Sequence, residues 1–315
     1  MILVFGSLNA DFILPVKNFP APGETVLTRK AVVKAGGKGA NQAAAAARAG
    51  GLVKMFGAVG RDEVSKVPLT ALKAQGVDCS GVHATDLSTG MAMIMLDERG
   101  ENSIVVAGGA NTVANADFIG DAFLTDETLV AMQMEVPPDE NFKLLRRAKA
   151  KGAKTLLNVA PAAQIPSEIL PLIDYLILNE IEADAVGKHL FDAAVSDPSE
   201  KAARIARKTG GACLITLGAK GVVGAQDQKT FAVDALKLTP VDTTGAGDAF
   251  VGIFAAMIDG GLDIVEAARH AAAGAGLACL KVGAQEALPS FKEIETRVEE
   301  IAIRQFFMAL REKPL

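Results

Sequence analysis

Short apolar runs, each closed by a glycine or a polar residue, alternate along the chain with stretches of helical spacing, and few folds accommodate that rhythm. The runs fall at 2–5, 53–56, 129–134, 155–158, 175–178 and 213–216. They are apolar at consecutive positions, which suits strands covered on both faces and not strands with one face in water. Helical patterns at 41–49, 141–151, 199–208 and 247–258 alternate with them. This order predicts βαβ crossovers, and hence a doubly wound, mostly parallel α/β sheet with helices on both faces. Ligands then gather at the carboxyl ends of the strands.

Residues 89–107 break the rhythm. Gly90 to Leu96 turn at Asp97-Glu98-Arg99-Gly100 into Asn102 to Val106 with no helix between them, which reads as a β-hairpin. With extended stretches at 12–16 and 25–33 it predicts a small antiparallel sheet, a lid built from about 12–33 and 89–107 and inserted in a single domain of residues 1–315. Both faces of 91–96 are apolar, so one face is expected to cover a ligand and the other to meet a second copy of the chain. Near the end, Ser290 and Glu293 have capping-box spacing, and Ile294, Val298 and Ile301 predict a scaffold helix.

The chain carries 32 Lys and Arg against 37 Asp and Glu, a formal charge of -5. That balance argues against nucleic acid or an anionic membrane as partner, and any phosphate must be held locally. The apolar stretches at 250–258 and 271–280 fall short of the ~18 residues that a membrane span needs. Met1 to Gly6 has no basic leader, so the fold is expected to start at residue 1. Three widely spaced cysteines, Cys79, Cys213 and Cys279, show no CxxC spacing and suit a reducing, cytoplasmic setting.

Two glycine turns carry the chemistry. In Asp242-Thr243-Thr244-Gly245-Ala246-Gly247-Asp248, small residues lead into an apolar helix. Consecutive backbone N–H groups of Gly245, Ala246, Gly247 and Asp248, together with the positive end of the helix dipole, make an anion hole. Asp248, in the first turn, is placed to take a proton from a hydroxyl that attacks phosphorus. In Gly36-Gly37-Lys38-Gly39-Ala40-Asn41-Gln42, a second turn opens a helix, and Lys38 and Asn41 offer donors to hydroxyls or phosphate. No GxxxxGK[ST] occurs, and Gly245-Ala246-Gly247 lacks the third glycine of a dinucleotide site, so a dehydrogenase is disfavoured.

Together the two turns resemble the signatures of the phosphofructokinase B family of sugar and nucleoside kinases, in the order expected. Gly6 to Asp11, Pro22 to Thr25, Gly109 to Asn111, Met132 to Glu135, Asn158 to Ala162, Asn179 to Glu182, Thr216 to Gly218 and Gly283 to Gln285 extend the similarity, in particular to its ribokinases. The resemblance implies that Asn9, Asp11, Gly37, Lys38, Asn41, Glu135 and Asp248 surround a sugar. Carboxylates and amides suit a polyhydroxylated ligand, and a site so built rejects analogues lacking the hydroxyls. It also implies that Asn179, Thr216, Gly218, Gly221 and Gly247 serve ATP and that Glu182 helps place Mg²⁺, commonly through water.

By the same resemblance Asp242, Thr244, Ala278, Lys281 and Gly283 hold a K⁺ ion beside the anion hole, largely through backbone oxygens. Two departures stand out: Glu286-Ala287 where the family usually has Pro-Ser, and Ala272 where Asn or His often stands near adenine. His83 and His189 have no partners at ligand spacing, and Gly274 and Gly276 read as packing glycines. The expectation is an ATP-dependent kinase of a sugar's primary hydroxyl, ribose first, and a homodimer through the lid. Alternatives are a nucleoside, deoxyribose or fructose kinase, and a non-catalytic sugar-binding regulator, which would be expected to lose the base or the anion hole.

Overall fold

The computed structural model describes residues 1–191, 195–227 and 229–307. β1 (Ile2–Phe5) is buried at every position, and β2 (Asn9–Pro15) carries the chain out of the main body. β3 (Val32–Gly36) returns it to α1 (Lys38–Arg48). There follow β4 (Val53–Gly60), α2 (Lys66–Ala74), β5 (Asp78–Thr85), β6 (Gly90–Leu96) and β7 (Asn102–Ala107). Next come β8 (Leu129–Gln133), α3 (Pro138–Ala150), β9 (Lys154–Asn158), β10 (Tyr175–Asn179), α4 (Glu180–Leu190), α5 (Pro198–Thr209) and β11 (Ala212–Thr216). β12 (Val222–Gln226) and β13 (Lys229–Val233) precede α6 (Ala246–Asp259), α7 (Ile264–Ala278), α8 (Phe291–Glu295) and β14 (Ile303–Phe307).

Ten strands form one sheet in the order β14-β13-β12-β11-β10-β9-β8-β1-β4-β5. From β5 to β11 every pairing is parallel, and β12 to β14 close one edge as an antiparallel meander. The alternation of side chains along β1 divides the core. Ile2 and Val4 join α1, α6 and α7 on one face, while Leu3 and Phe5 join α3, α4 and α5 on the other. From β1 the chain winds outward through β4 to β5, then crosses back to β8 and winds the other way to β11. The β1/β8 boundary is therefore the switch point where a crevice opens outside the strand ends.

The lid is a four-stranded sheet of order β3-β2-β6-β7. β2 pairs antiparallel with β3 and β6 with β7, whereas β2 and β6 run parallel. The expected extended stretch at 25–33 is mostly not a strand: pairing starts at Val32. Leu27 is 91% exposed, and Thr28 Oγ1 donates to the carbonyls of Pro15 and Lys30, so these residues form a loop lying outside the sheet. The expected C-terminal helix also breaks, into the five-residue α8 and a 3₁₀ turn at Val298–Glu300. Ile294, Val298 and Ile301 are buried in one core regardless, because the 3₁₀ turn brings them to the same side.

Candidate active site

α1 and α6 meet at the crevice because nothing stands between them. A methyl group on Gly252 of α6 would lie 2.3 Å from the Gln42 carbonyl oxygen and 2.6 Å from Ala45 Cβ. That contact brings the first turn of α1 against the first turn of α6. Asn41 Nδ2 donates to Asp248 Oδ2 at 3.0 Å and Gln42 Nε2 to Oδ1 at 3.1 Å. Gln42 Nε2 also donates to Asn158 Oδ1 at 3.0 Å, and Gln285 Nε2 donates to Asn41 Oδ1 at 3.1 Å. The last bond fixes which end of the Asn41 amide faces the carboxylate. Burial raises the Asp248 pKa, against the pull of the Lys38 ammonium and the two amides. Asp248 in turn raises the pKa of Lys38.

Gly245 adopts φ 74°, left-handed backbone that glycine takes without strain, and caps α6. The N–H groups of Gly247 and Asp248, in the first turn, have no acceptor among the described residues. A methyl group on Gly247 would have no neighbour within 4 Å, so the turn is open to an incoming anion. A polar cleft here reaches Lys38, Asn158, Glu182 and Thr216. It shares Thr216 and Gly247 with a larger, mainly apolar cavity lined by Gly218, Gly221, Leu236, Ala272 and Gly276. The apolar cavity therefore adjoins the polar cleft that Asp248 lines.

Asn9 and Asp11, on the lid strand β2, come near Glu135, which follows β8, with Asp11 also near Asp248. Asn9 Oδ1 accepts from Asn111 Nδ2 at 2.7 Å, and Asn111 Oδ1 accepts from the Leu8 N–H at 2.9 Å. Glu135 Oε2 accepts from Ser7 Oγ at 2.6 Å and from the Lys38 N–H at 3.0 Å. Asp11 Oδ1 is buried without a partner among the described residues. Burial, reinforced by Glu135, Asp248 and Glu286, pushes the Asp11 carboxyl up to about 6. A side chain on Gly36 would strike it, since a methyl there would be 2.1 Å from Asp11 Oδ2, and a methyl on Gly37, at φ 89°, would be 2.9 Å from Asn9 N. An unpaired buried carboxylate oxygen of this kind calls for hydroxyl donors from a ligand.

Asn179 and Glu182 form a capping box at the start of α4: the Glu182 N–H donates to Asn179 Oδ1 and the Asn179 N–H to Glu182 Oε2, both at 2.8 Å. Burial raises the Glu182 pKa, and Lys38 opposes it. One carboxylate oxygen is left facing the polar cleft, a donor that fits Mg²⁺ held through water. The loop expected to hold K⁺ is gathered on Asp242, whose Oδ1 accepts from the Thr244 N–H and Oδ2 from the Gly283 N–H, both at 2.9 Å. Burial opposes ionisation of Asp242, but those bonds and the nearby Lys34 ammonium leave its pKa below the ordinary value. A carboxylate fits a monovalent cation, yet the Lys34 ammonium, paired with Glu286, is close enough to act on Asp242. Ala278 is buried at the end of α7, and the Lys281 side chain turns out towards Glu293 at 3.8 Å.

Sequence reasoning did not assign Ser7, Gln42 or Asn111 a role, and all three hold site residues in place. Gln42 had a readable signal: it is the last polar residue before a run of five alanines on a helix that must be buried. Gly276 does more than pack, since it both crowds Leu236 and lines the apolar cavity, whereas Gly274 packs on Ile253 as expected. His270 bonds the Glu266 carbonyl and Glu295 and does not line that cavity, while His83 stacks on Phe118.

A doubly wound sheet, an open glycine turn at a helix start, the buried Asp248 carboxylate beside it and the carboxyls of Asp11 and Glu135 near a β lid are the parts that an ATP-dependent carbohydrate kinase needs. The model of the pfkB family carbohydrate kinases matches residues 1–290, and the chain belongs to that family. It is 35% identical over 296 residues to the ribokinase of Haemophilus influenzae, covering 93% of this chain and 96% of that one. It is similar in structure to the ribokinase of Thermotoga maritima (TM-score 0.88, 30% identity, 95% of this chain and 99% of that one). It is also similar to the Arabidopsis thaliana ribokinase solved with ribose and ATP (TM-score 0.85, 31% identity, 95% and 98%).

Proposed function

We propose that the chain transfers the γ-phosphoryl group of ATP to the primary hydroxyl of ribose, giving ribose 5-phosphate, with Asp248 as general base. The observation that carries this reading is the position of Asp248: held at both oxygens by Asn41 and Gln42, it neighbours both the orphan carboxylate of Asp11 and the open amide of Gly247. Asn9, Asp11, Asn41, Lys38 and Glu135 hold the sugar hydroxyls, and the backbone at Gly37 lets the sugar approach closely. The reacting hydroxyl gives its proton to Asp248 as its oxygen bonds to phosphorus, and the bond to ADP breaks. The amides of Gly245, Gly247 and Asp248 steady the charge on the transferring group, that of Ala246 being already given to the Thr243 carbonyl at 3.2 Å, and Lys38 shares that task.

Glu182 would help hold Mg²⁺, commonly through water, and the ion would offset phosphate charge. The adenine lies in the apolar cavity against Ala272 and Gly276, with Thr216, Gly218 and Gly221 shaping its phosphate end and Asn179 fixing Glu182 in place. The lid covers the sugar, and its exposed outer strand β7 makes it the contact of a homodimer. Free, widely spaced cysteines and the lack, among the described residues, of any helix able to cross a membrane support a cytoplasmic setting. An ADP-release screen over ribose, deoxyribose, fructose and nucleosides tests the reading: ribose should give the largest kcat/KM, and a nucleoside that exceeds it would replace the substrate.

A further inference from the structure

Lys34 on β3 pairs across the lid sheet with Asp11 on β2, so the two side chains share the face turned to the sugar. Its ammonium leaves the lid. Nζ lies 3.7 Å from Glu286 Oε1, and a methyl group on Gly283 would be 2.7 Å from both Lys34 Nζ and Glu286 Oε2. The pair closes over the Gly283 turn from one side. From the other side, the Gly283 N–H donates to Asp242 Oδ2, and Ala284 lies against Gly245, 2.9 Å from where a methyl on that glycine would stand. The lid is thus joined to the anion hole by three successive contacts: Lys34 to the Gly283 turn, the turn to Asp242, and Ala284 to Gly245.

Charge explains why a cation belongs there. Asp242 is ionised in the loop that leads into amides meant for a polyphosphate, and an unbalanced carboxylate would repel that ligand. The Lys34 ammonium is the compensating charge that the chain itself brings, and Glu286 anchors it. We propose that Lys34 is a positioning residue for phosphoryl transfer: its lid-borne ammonium clamps the Gly283 turn, balances Asp242 and so orders the anion hole without a dissolved monovalent cation. This rests on the kinase reading above. One consequence is that the anion hole is ordered only when the lid is in place, which ties ATP use to a covered sugar.

The test compares KCl with choline chloride at constant ionic strength, in wild type, Lys34→Met and Lys34→Arg, by kcat, KM and melting temperature. Wild-type kcat should differ between the salts by less than about threefold. Lys34→Met should lose about tenfold or more of kcat in choline chloride, with a smaller change in the sugar KM, and recover most of it in KCl; Lys34→Arg should stay near wild type. Lys34→Met should also show a rise in melting temperature with K⁺ that wild type lacks. A wild-type enzyme activated more than about threefold by K⁺ overturns the proposal, as does a Lys34→Met variant that is undiminished in choline chloride or not restored by KCl. Should Lys34→Met fail to fold, Glu286→Gln, half exposed, carries the same comparison. If no sugar is phosphorylated in either salt, the kinase reading fails, and the melting temperatures still decide the role of Lys34.

Discussion

Gln42 Nε2 lies 3.1 Å from Asp248 Oδ1, although the two residues are 206 positions apart in the chain. The bond exists because α1 and α6 approach at Gly252, and it holds one oxygen of the carboxylate while Asn41 holds the other. A carboxylate fixed at both ends is held in one orientation beside the polar cleft that it lines.

Replacing Asp248 with Asn keeps the shape and removes the proton acceptor. General base catalysis contributes ~10²–10⁴-fold, so kcat should fall by about a thousandfold while calorimetric ribose affinity stays within about twofold. A variant that turns over at a near-normal rate would remove Asp248 from this role.

Gln42→Leu takes one donor from Asp248 and leaves Asn158 without its partner. A hydrogen bond to the ionised form favours that form, so its loss should move the acid limb of the kcat–pH profile upward, with a fall in kcat of about tenfold. Steady-state rates from about pH 5 to 9 read both effects. An unshifted acid limb would mean that Gln42 serves packing alone.

Asp11 carries the sharpest pH signature. Its carboxyl is raised to about 6 from an unfolded value near 3.8, so the folded free protein binds more protons than the unfolded chain between those values. Stability therefore falls as pH rises through that window, by at most about 3 kcal/mol, and stays lower above it. Asp11→Asn should raise the melting temperature near pH 8, lose that advantage below about pH 4, and weaken sugar binding. Ribose affinity of the wild type should drop below about pH 6 as the acceptor is protonated. Thermal unfolding and calorimetry at the two pH extremes check the sign. Equal melting temperatures near pH 8 would show that burial of this carboxylate costs nothing.

The sheet and both glycine turns were legible because they follow from local rules: consecutive apolar residues for covered strands, glycine and small residues before a helix for an open helix start. The lid loop at 25–31 was not, because an extended stretch with no partner strand looks the same in sequence as one that has a partner. The break after α8 was hidden for a related reason, since Ile294, Val298 and Ile301 are buried by a 3₁₀ turn as well as they would be by a helix. Gln42, Ser7 and Asn111 act through other side chains, and contacts spanning 103 to 207 positions, such as Asn111 to Leu8 and Asn41 to Asp248, leave no trace in local spacing. Lys34 with Glu286 shows the limit most clearly, since an ion pair between lid and loop exists only once both have folded.

The outer strand of the lid carries the final prediction. β7 is an edge strand, and Ile104, Val105 and Val106 are 50%, 63% and 54% exposed in succession. Exposed apolar residues on an unpaired edge invite a second strand, and a lone chain would normally blunt such an edge with charge. A copy of the same chain related by a two-fold axis presents the same patch and buries both at once. Wild type should therefore run as a dimer by light scattering on a sizing column, and Val105→Glu should halve the mass. Because Val105 contributes little to the monomer's own core, the variant should keep its fold by circular dichroism. A wild type that stays monomeric at micromolar concentration, or a Val105→Glu variant that stays dimeric, would place the interface elsewhere.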